Sequence, residues 1–359
     1  MMELLDYLER AVKDNASDLF FIAGAGVSEK LDKRLETIGE GKLMPQDSQK
    51  LIADLYERAG RSMVPFRERG DDDFSFSVPG LARFRVNAYR QRGSLAAVVR
   101  VVAFDIPDHQ ALHIPKEVMD LADVKGGMVL VTGTAGSGKS TTQACIIDRI
   151  NHTRQAHVIT LEDPIEYLHR NELSIVSQRE IATDTADYHS ALRSCLRQAP
   201  DVIQLGEMRD HETIRTAMTA AETGHPLLAT LHTKGAANTI DRIVDTFPSA
   251  QQGQIRFQLS MVLHTVVSQQ LLPATDGTLV PAFEIMHSSA AIRALIRDNK
   301  THQLDSAIAA AGSEGMRTMD QSIQELYYTG KVSRETALAY ADNPEQLDRK
   351  LGRDVDWSK

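Results

Sequence analysis

Residues 133–140 read Gly-Thr-Ala-Gly-Ser-Gly-Lys-Ser, the spacing G-x-x-x-x-G-K-[ST]. Residues of these types at this spacing do phosphate chemistry. Gly133, Gly136 and Gly138 let the backbone N–H groups of the loop, Thr134, Ala135 and Ser137 included, turn inward around a phosphate. A helix starting at the lysine adds partial positive charge at its N-terminus. Lys139 is spaced to reach β and γ phosphates, and the Ser140 hydroxyl, with Thr141 beside it, to hold Mg²⁺. Such a loop binds ATP; hydrolysis needs a positioned carboxylate as well.

Two later segments supply carboxylates where strands should end. One is Val158 to Glu166, with Glu162, Asp163 and Glu166; the other is Asp201 to Asp210, with Glu207 and Asp210. In an open α/β sheet ligands gather at the carboxyl ends of the strands, so both clusters are expected to face the phosphates. A carboxylate there can orient water or hold the metal. The other reading, open for Asp163 and Asp210, is a helix N-cap. Gly206 before Glu207 permits close backbone approach. His225 and His232 flank an apolar run, Leu227 to Leu231, and this pairing favours a γ-phosphate sensor over two structural histidines.

The elements that must position these groups follow from the pattern. Short apolar runs at 128–132, 157–161, 201–206 and 227–231 suit buried parallel strands. Helical segments near 139–150, 185–198 and 210–223 alternate with them, which makes a βαβ series and a wound α/β core. Beyond about residue 236 the chain reads as mainly helical. In the first hundred residues helix-like and strand-like pieces alternate. Phe74, Phe76 and Val78 alternate with serines as in a half-buried strand, Pro79-Gly80 marks a turn, and two further strands are expected at 81–92 and 95–102. The expected organisation is a small α+β domain over 1–103, a linker over 104–115 holding Pro107 and Pro115, and an α/β domain with a helical C-terminal part over 116–359. The charged last dozen residues are expected to fray.

Composition narrows the classes. The 359 residues carry 42% apolar and 25% charged side chains, ordinary for a soluble globular protein with room for two cores. No apolar run approaches the ~20 residues of a membrane span, and the N-terminus lacks a signal-peptide pattern. Cys145 and Cys195 make no metal-type pair and read as core residues of helices in a reducing compartment. Together these point to the cytoplasm. A net charge of −9, with 5% aromatics and a lone Trp357, argues against a nucleic-acid track.

Taken together, the motifs resemble those of the secretion ATPases, and specifically the type IV pilus retraction ATPases, the PilT family. The order is the loop Gly133–Ser140, an acidic box at 160–166, Gly-Glu-Met-Arg-Asp at 206–210, Ala-Glu-Thr-Gly-His at 221–225, Leu-His-Thr at 231–233 and Phe247-Pro248. Ala291 to Arg297 (Ala-Ile-Arg-Ala-Leu-Ile-Arg) is similar to the family's AIRNLIRE segment, with Ala294 and Asp298 as departures, and Gly315 to Asp320 has the family look. The resemblance implies a PAS-like N-terminal domain joined to a RecA-like ATPase domain in a homo-hexameric ring. It also implies ATP and Mg²⁺, with Ser140 and Glu207 as metal groups, the latter through water.

Glu166 matches the family's water-activating base, Glu207 its Walker B acid, and His225 and His232 its histidine box. Arg83 to Gly93 matches the arginine-rich stretch; Arg85 and Arg100, then Arg92, are the candidates for closing over the phosphates. The implied partner is an inner-membrane pilus platform protein, with related pilus ATPases beside it, at the inner face of the cytoplasmic membrane. With no cysteine after Cys195, the zinc module of extension and type II secretion ATPases is not expected, nor stable zinc; this favours retraction over extension. An accessory retraction ATPase is the near alternative. A non-hydrolysing regulator and a ring nucleic-acid translocase are the distant ones. The chain departs from the family in having Phe20 for a histidine, in lacking the proline-containing loop over 23–34, and in placing polar Gln204 inside a strand, where burial demands a hydrogen-bond partner.

Overall fold

A computed structural model describes residues 3–31, 34–39, 41–102 and 106–352. The chain divides into two compact units, residues 1–105 with 166–168, and residues 106–165 with 169–359. Trp357 and most of the charged tail lie outside the described residues, as do 104 and 105 of the expected linker.

The first unit is a six-stranded antiparallel sheet. Its strands are β1 (Asp18–Ile22), β2 (Ser28–Leu31), β3 (Arg34–Thr37), β4 (Asp71–Val78), β5 (Ala82–Gln91) and β6 (Ser94–Val102), in the order β3-β2-β1-β6-β5-β4. Strand β5 shows why it pairs as it does. Phe84, Val86 and Ala88 are buried on one face while Arg83, Arg85 and Asn87 point the other way, the period of a strand with one covered face. Helices Leu4–Lys13 and Pro45–Arg58 cover the apolar face with Leu8, Leu51, Ile52 and Leu55. Arg92 and Gly93, both at positive φ (47° and 80°), make the two-residue turn between β5 and β6, the backbone hand that tight hairpins need.

The second unit holds a seven-stranded sheet. Its strands are β7 (Met128–Thr132), β8 (His157–Glu162), β9 (Ile175–Glu180), β10 (Val202–Leu205), β11 (Leu227–Leu231), β12 (Leu263–Pro273) and β13 (Leu279–His287), ordered β13-β12-β7-β11-β10-β8-β9. All neighbours are parallel except the β12–β13 hairpin. Strand residues alternate between two cores. Met128, Leu130, Leu227 and Ala229 face the helices Tyr188–Cys195, His211–Glu222 and Ala236–Asp245; Val129 and Leu228 face the helix Lys139–Thr153. Burial on both faces explains why these strands read as unbroken apolar runs.

Two expectations are corrected and one is qualified. The region after residue 236 is mainly helical as expected, but within it β12 and β13 complete the sheet before the last helices begin. Buried Ser268, Gln269, Gln270 and Glu284 interrupt their apolar pattern, which hid the strands. The segment 106–115 is not a free linker from Ile106 on. Ile106, Leu112 and Ile114 pack into the core beneath the helix Lys139–Thr153, where Cys145 Sγ donates to the Pro107 carbonyl at 3.4 Å. Part of the tail expected to fray is the helix Pro344–Leu351, anchored by buried Leu347 and Leu351. Both cysteines are buried helix residues, and burial pushes each thiol up to about 11.

Candidate active site

The carboxyl ends of β7, β11 and β10 lie side by side, and each delivers one group. From β7 the chain enters the glycine loop, and the helix Lys139–Thr153 begins at the lysine. Gly133, Gly136 and Gly138 adopt φ of 142°, 76° and 88°. A Cβ on Gly133 would stand 2.3 Å from the Gln269 carbonyl oxygen and 2.6 Å from Ser137 Oγ, so only glycine fits. Lys139 is buried, and its Nζ donates to the carbonyls of Gly133 and Thr134 at 2.9 Å each.

His232 follows β11. Its Nδ1 lies 3.4 Å from Lys139 Nζ and its Nε2 lies 3.1 Å from Glu207 Oε2. An ammonium can only donate, so Nδ1 accepts and Nε2–H donates to the carboxylate; a neutral imidazole satisfies both contacts. Glu207, at the end of β10, is buried and also pairs with exposed Arg209. The His232 side chain is 56% exposed, which leaves it open to a ligand. Lys139, His232 and Glu207 thus form one connected row across three strand ends.

The turn carrying Glu207 is held on both sides. Gly206 N donates to Leu161 O at 2.7 Å, Met208 N to Thr230 O at 3.1 Å, and the Thr230 hydroxyl to the Gly206 carbonyl. Gly206 is needed for close approach, though to protein: a Cβ there would meet the Tyr188 hydroxyl at 2.8 Å and Leu161 O at 3.1 Å. Burial, and then the charge of Glu207, pushes the Tyr188 phenol pKa up and keeps it neutral. Buried Gln204 finds its partner in Gln143, Nε2 to Oε1 at 3.3 Å.

The remaining candidates separate. Glu162 accepts from Thr160 Oγ1 at 2.6 Å and Gln178 Nε2 at 3.2 Å at the end of β8. Asp163 and Glu166 are exposed, and Glu166 groups with the first unit. Asp210 is a helix cap, accepting from Thr213 N at 2.8 Å and Thr213 Oγ1 at 2.9 Å. Burial works to raise its pKa, but these bonds hold it below the ordinary value. His225 does not share the site within this chain. It precedes β11 at the opposite sheet edge, beside Thr223 Oγ1 at 3.0 Å, and a five-residue strand at ~3.3 Å per residue keeps it from His232. Arg85 and Arg100 are register partners on β5 and β6 of the first unit, where Arg100 Nε pairs with Asp18 Oδ1 at 2.9 Å; Arg92 is exposed at the hairpin tip.

Two groups were missed from sequence. Gln269 on β12 accepts from Thr142 Oγ1 at 2.7 Å, and its backbone oxygen closes against Gly133; the apolar pairs Val266-Val267 and Leu271-Leu272 on either side of it were the available signal. Tyr188 had none beyond its helix. A cleft of ≈ 560 Å³ opens beside the loop, lined by Gly138, Thr141, Leu112, Ile114, Leu271 and Val280. Its position continues the loop toward an apolar pocket of a size suited to a base and ribose. For Mg²⁺, the Ser140 hydroxyl and the Glu207 carboxylate offer oxygen donors only, the set this ion selects. Among the described residues the buried Ser137 Oγ of the loop has no hydrogen-bond partner, as a side chain awaiting an oxyanion would. The residues present fit a magnesium nucleotide.

Comparison with known proteins agrees with this chemistry. The family described as type II/IV secretion system protein matches residues 3–350. The type IV pilus retraction ATPase PilT of Pseudomonas aeruginosa is 44% identical over 346 residues, 96% of this chain and 100% of that protein. The type IV pilus ATPase PilU of the same organism is 37% identical over 358 residues, 99% and 93% of the two chains. A crystal structure of the pilus retraction motor PilT with bound ADP superposes with a TM-score of 0.88 at 43% identity, covering 97% of this chain and 100% of that one.

Proposed function

The chain belongs to the type II/IV secretion system protein family, and we infer from this that it is an ATP-hydrolysing motor of type IV pilus retraction. The observation that carries the chemistry is the row Lys139–His232–Glu207 at three adjacent strand ends. ATP enters with its phosphates in the loop from Gly133 to Thr141 and its base in the cleft beside Gly138. The Lys139 ammonium, now spent on two loop carbonyls, transfers to the β and γ phosphates, where charge develops during transfer. His232 turns its Nε2–H, which donates to Glu207, toward the γ-phosphate and so reports its presence. Mg²⁺, when bound, neutralises phosphate charge; Ser140 and, through water, Glu207 would hold it. Glu166 is the proposed base that orients the attacking water. Arg85 and Arg100, with Arg92 behind them, complete the site from an N-terminal unit, and Arg100 then exchanges Asp18 for phosphate.

A stroke needs nucleotide states that differ in their contacts. A homo-hexameric ring in which the N-terminal unit of one subunit meets the ATPase unit of the next supplies them, and the working partner is a pilus platform protein in the inner membrane. Among the described residues no helix is long and apolar enough to cross a membrane, so docking at the membrane is assigned to that partner. The test pairs purified protein with a piliated host. K139A should lose ATP turnover, weaken ATP binding and abolish retraction-dependent motility. Undiminished turnover in K139A, or normal motility in a host whose only copy is K139A, refutes the reading.

A further inference from the structure

The loop from His232 to Gly235 carries the sensor histidine, and its far end is tied down by a pair of buried side chains from another part of the sheet. Ser268 on β12 and Glu284 on β13 sit directly opposite each other. Ser268 Oγ accepts from Gly235 N at 2.9 Å, and Glu284 Oε1 accepts from Ala236 N at 2.6 Å. One cross-strand pair therefore takes two consecutive amides at the start of the helix Ala236–Asp245, amides that a helix N-terminus otherwise leaves without partners. Gly235, at φ 79°, makes the bend that presents them. Thr239 Oγ1 closes the turn by donating to Gly235 O at 2.7 Å and lying 2.7 Å from Thr233 Oγ1. His232, one residue before Thr233, reaches Lys139 and Glu207 from this fixed base.

We propose that Glu284 is a positioning residue for ATP hydrolysis: with Ser268 it clamps Gly235 and Ala236 and so holds His232 where the γ-phosphate will be. Glu284 is 3% exposed, and a carboxylate is an expensive group to bury for a cap that an exposed Ser or Asp would provide as well. Its other side faces a cavity of ≈ 380 Å³ bounded by Asp305, Asp320, Asp342, Thr318 and Lys350 from the C-terminal helices. Burial, then Asp342 and Asp305, raises its pKa to about 7 while the amides of Ala236 and Met319 pull it down. Glu284 thus lies between the start of the helix Ala236–Asp245, which it caps, and the cavity edged by the C-terminal helices.

The proposal rests on His232 as the γ-phosphate contact, so the experiment carries H232A as a control. On the full chain, ATP turnover and the affinities for ADP and for a non-hydrolysable ATP analogue are measured for wild type, E284A, E284Q, H232A and E284A/H232A. E284A should lose about tenfold or more in turnover and in analogue affinity, with ADP affinity within about threefold. E284Q keeps an acceptor for Ala236 and should stay near wild type. Because Glu284 acts through His232, the double variant should be no slower than H232A, where independent effects would multiply. Should E284A fail to fold, S268A removes the neighbouring acceptor alone and is judged by the same split between ATP analogue and ADP. Full turnover in E284A beside a slow H232A overturns the proposal alone. Equal loss of ADP and analogue binding, or multiplicative losses in the double variant, reduces Glu284 to a structural residue. Full turnover in H232A removes the sensor reading and the proposal with it.

Discussion

At the scale of single residues, the site is organised by what each group's chemistry requires of its neighbours. Lys139 satisfies its buried ammonium on loop carbonyls and His232, and His232 satisfies both ring nitrogens between a cation and an anion. Phosphate oxygens can accept in place of the present partners of Lys139 Nζ and of His232 Nε2–H. Removing one donor from such a preorganised site costs ~10²–10³ in rate, so H232A should cut kcat by about that factor while ADP affinity stays within a few-fold, because ADP has no γ-phosphate to sense; stopped-flow or steady-state turnover with nucleotide titrations checks this. Gly206 sets a different limit. In G206A the new methyl meets the Tyr188 hydroxyl and Leu161 O inside contact distance, an overpacking that costs ~1–3 kcal/mol. Y188F removes the hydroxyl that the methyl strikes, so G206A/Y188F should recover part of the loss in denaturant unfolding. A double variant no more stable than G206A would show that the Leu161 carbonyl, and not Tyr188, sets the limit.

At the scale of elements, legibility followed burial chemistry. β7, β8, β10 and β11 announce themselves because both faces are covered by apolar layers, and the loop, Glu207 and His232 all sit at their ends. β12 and β13 were hidden because Ser268, Gln269 and Glu284 occupy interior positions of these strands. They are polar for a local reason: each bonds a segment of the site, namely the sensor-loop amides or Thr142 of the loop helix. The polar interruptions that defeated the strand pattern are the groups that bond the segments flanking the candidate site. His225 misled for the converse reason, since sequence proximity to β11 does not say which end of the strand faces the loop. The buried Glu284 makes a measurable consequence. Its folded pKa of about 7 lies above the ordinary 4.5, so between those values the native state holds the proton that the unfolded chain has released. Its contribution to stability is therefore largest below about pH 4.5 and declines until pH 7, by up to about 3 kcal/mol. E284Q cannot titrate, so the stability of wild type relative to E284Q should fall as pH rises from 5 to 7.5 in urea unfolding. A flat difference would mean that the carboxyl titrates as an exposed glutamate does.

At the scale of the whole molecule, the phosphate loop and the helix Ala290–Arg297 leave from opposite strand ends of one sheet. The helix Ala290–Arg297 leaves from the end of antiparallel β13, whose His287 is paired to Thr265 near the start of β7, while the phosphate loop leaves from the other end of β7. Ile292 and Ile296 are buried in the core, Leu295 packs against it, and Arg293 Nε donates to Ser288 O at 3.0 Å and Ser288 Oγ at 3.3 Å. Arg293 and Arg297 are four residues apart on one helix, but the structure makes Arg293 a clasp between helix and strand and leaves Arg297 exposed. That division sharpens what each substitution should do. L295 made polar, or R293A, should lower stability, since each removes packing or hydrogen bonds that fix the helix. R297A touches neither core nor phosphate, so the protein should stay folded, form the ring with a non-hydrolysable ATP analogue in light scattering, and keep basal ATPase within about threefold, the small effect expected of an exposed surface substitution. If the exposed face of this helix passes the stroke to the pilus machinery, retraction-dependent motility should nonetheless be lost in a host carrying R297A. Normal motility would make the face inert surface. A folded R297A without ATPase activity would mean that this edge of the sheet takes part in the chemistry after all, through a neighbouring subunit, and a species that stays monomeric with analogue at micromolar concentration would remove the ring from the mechanism.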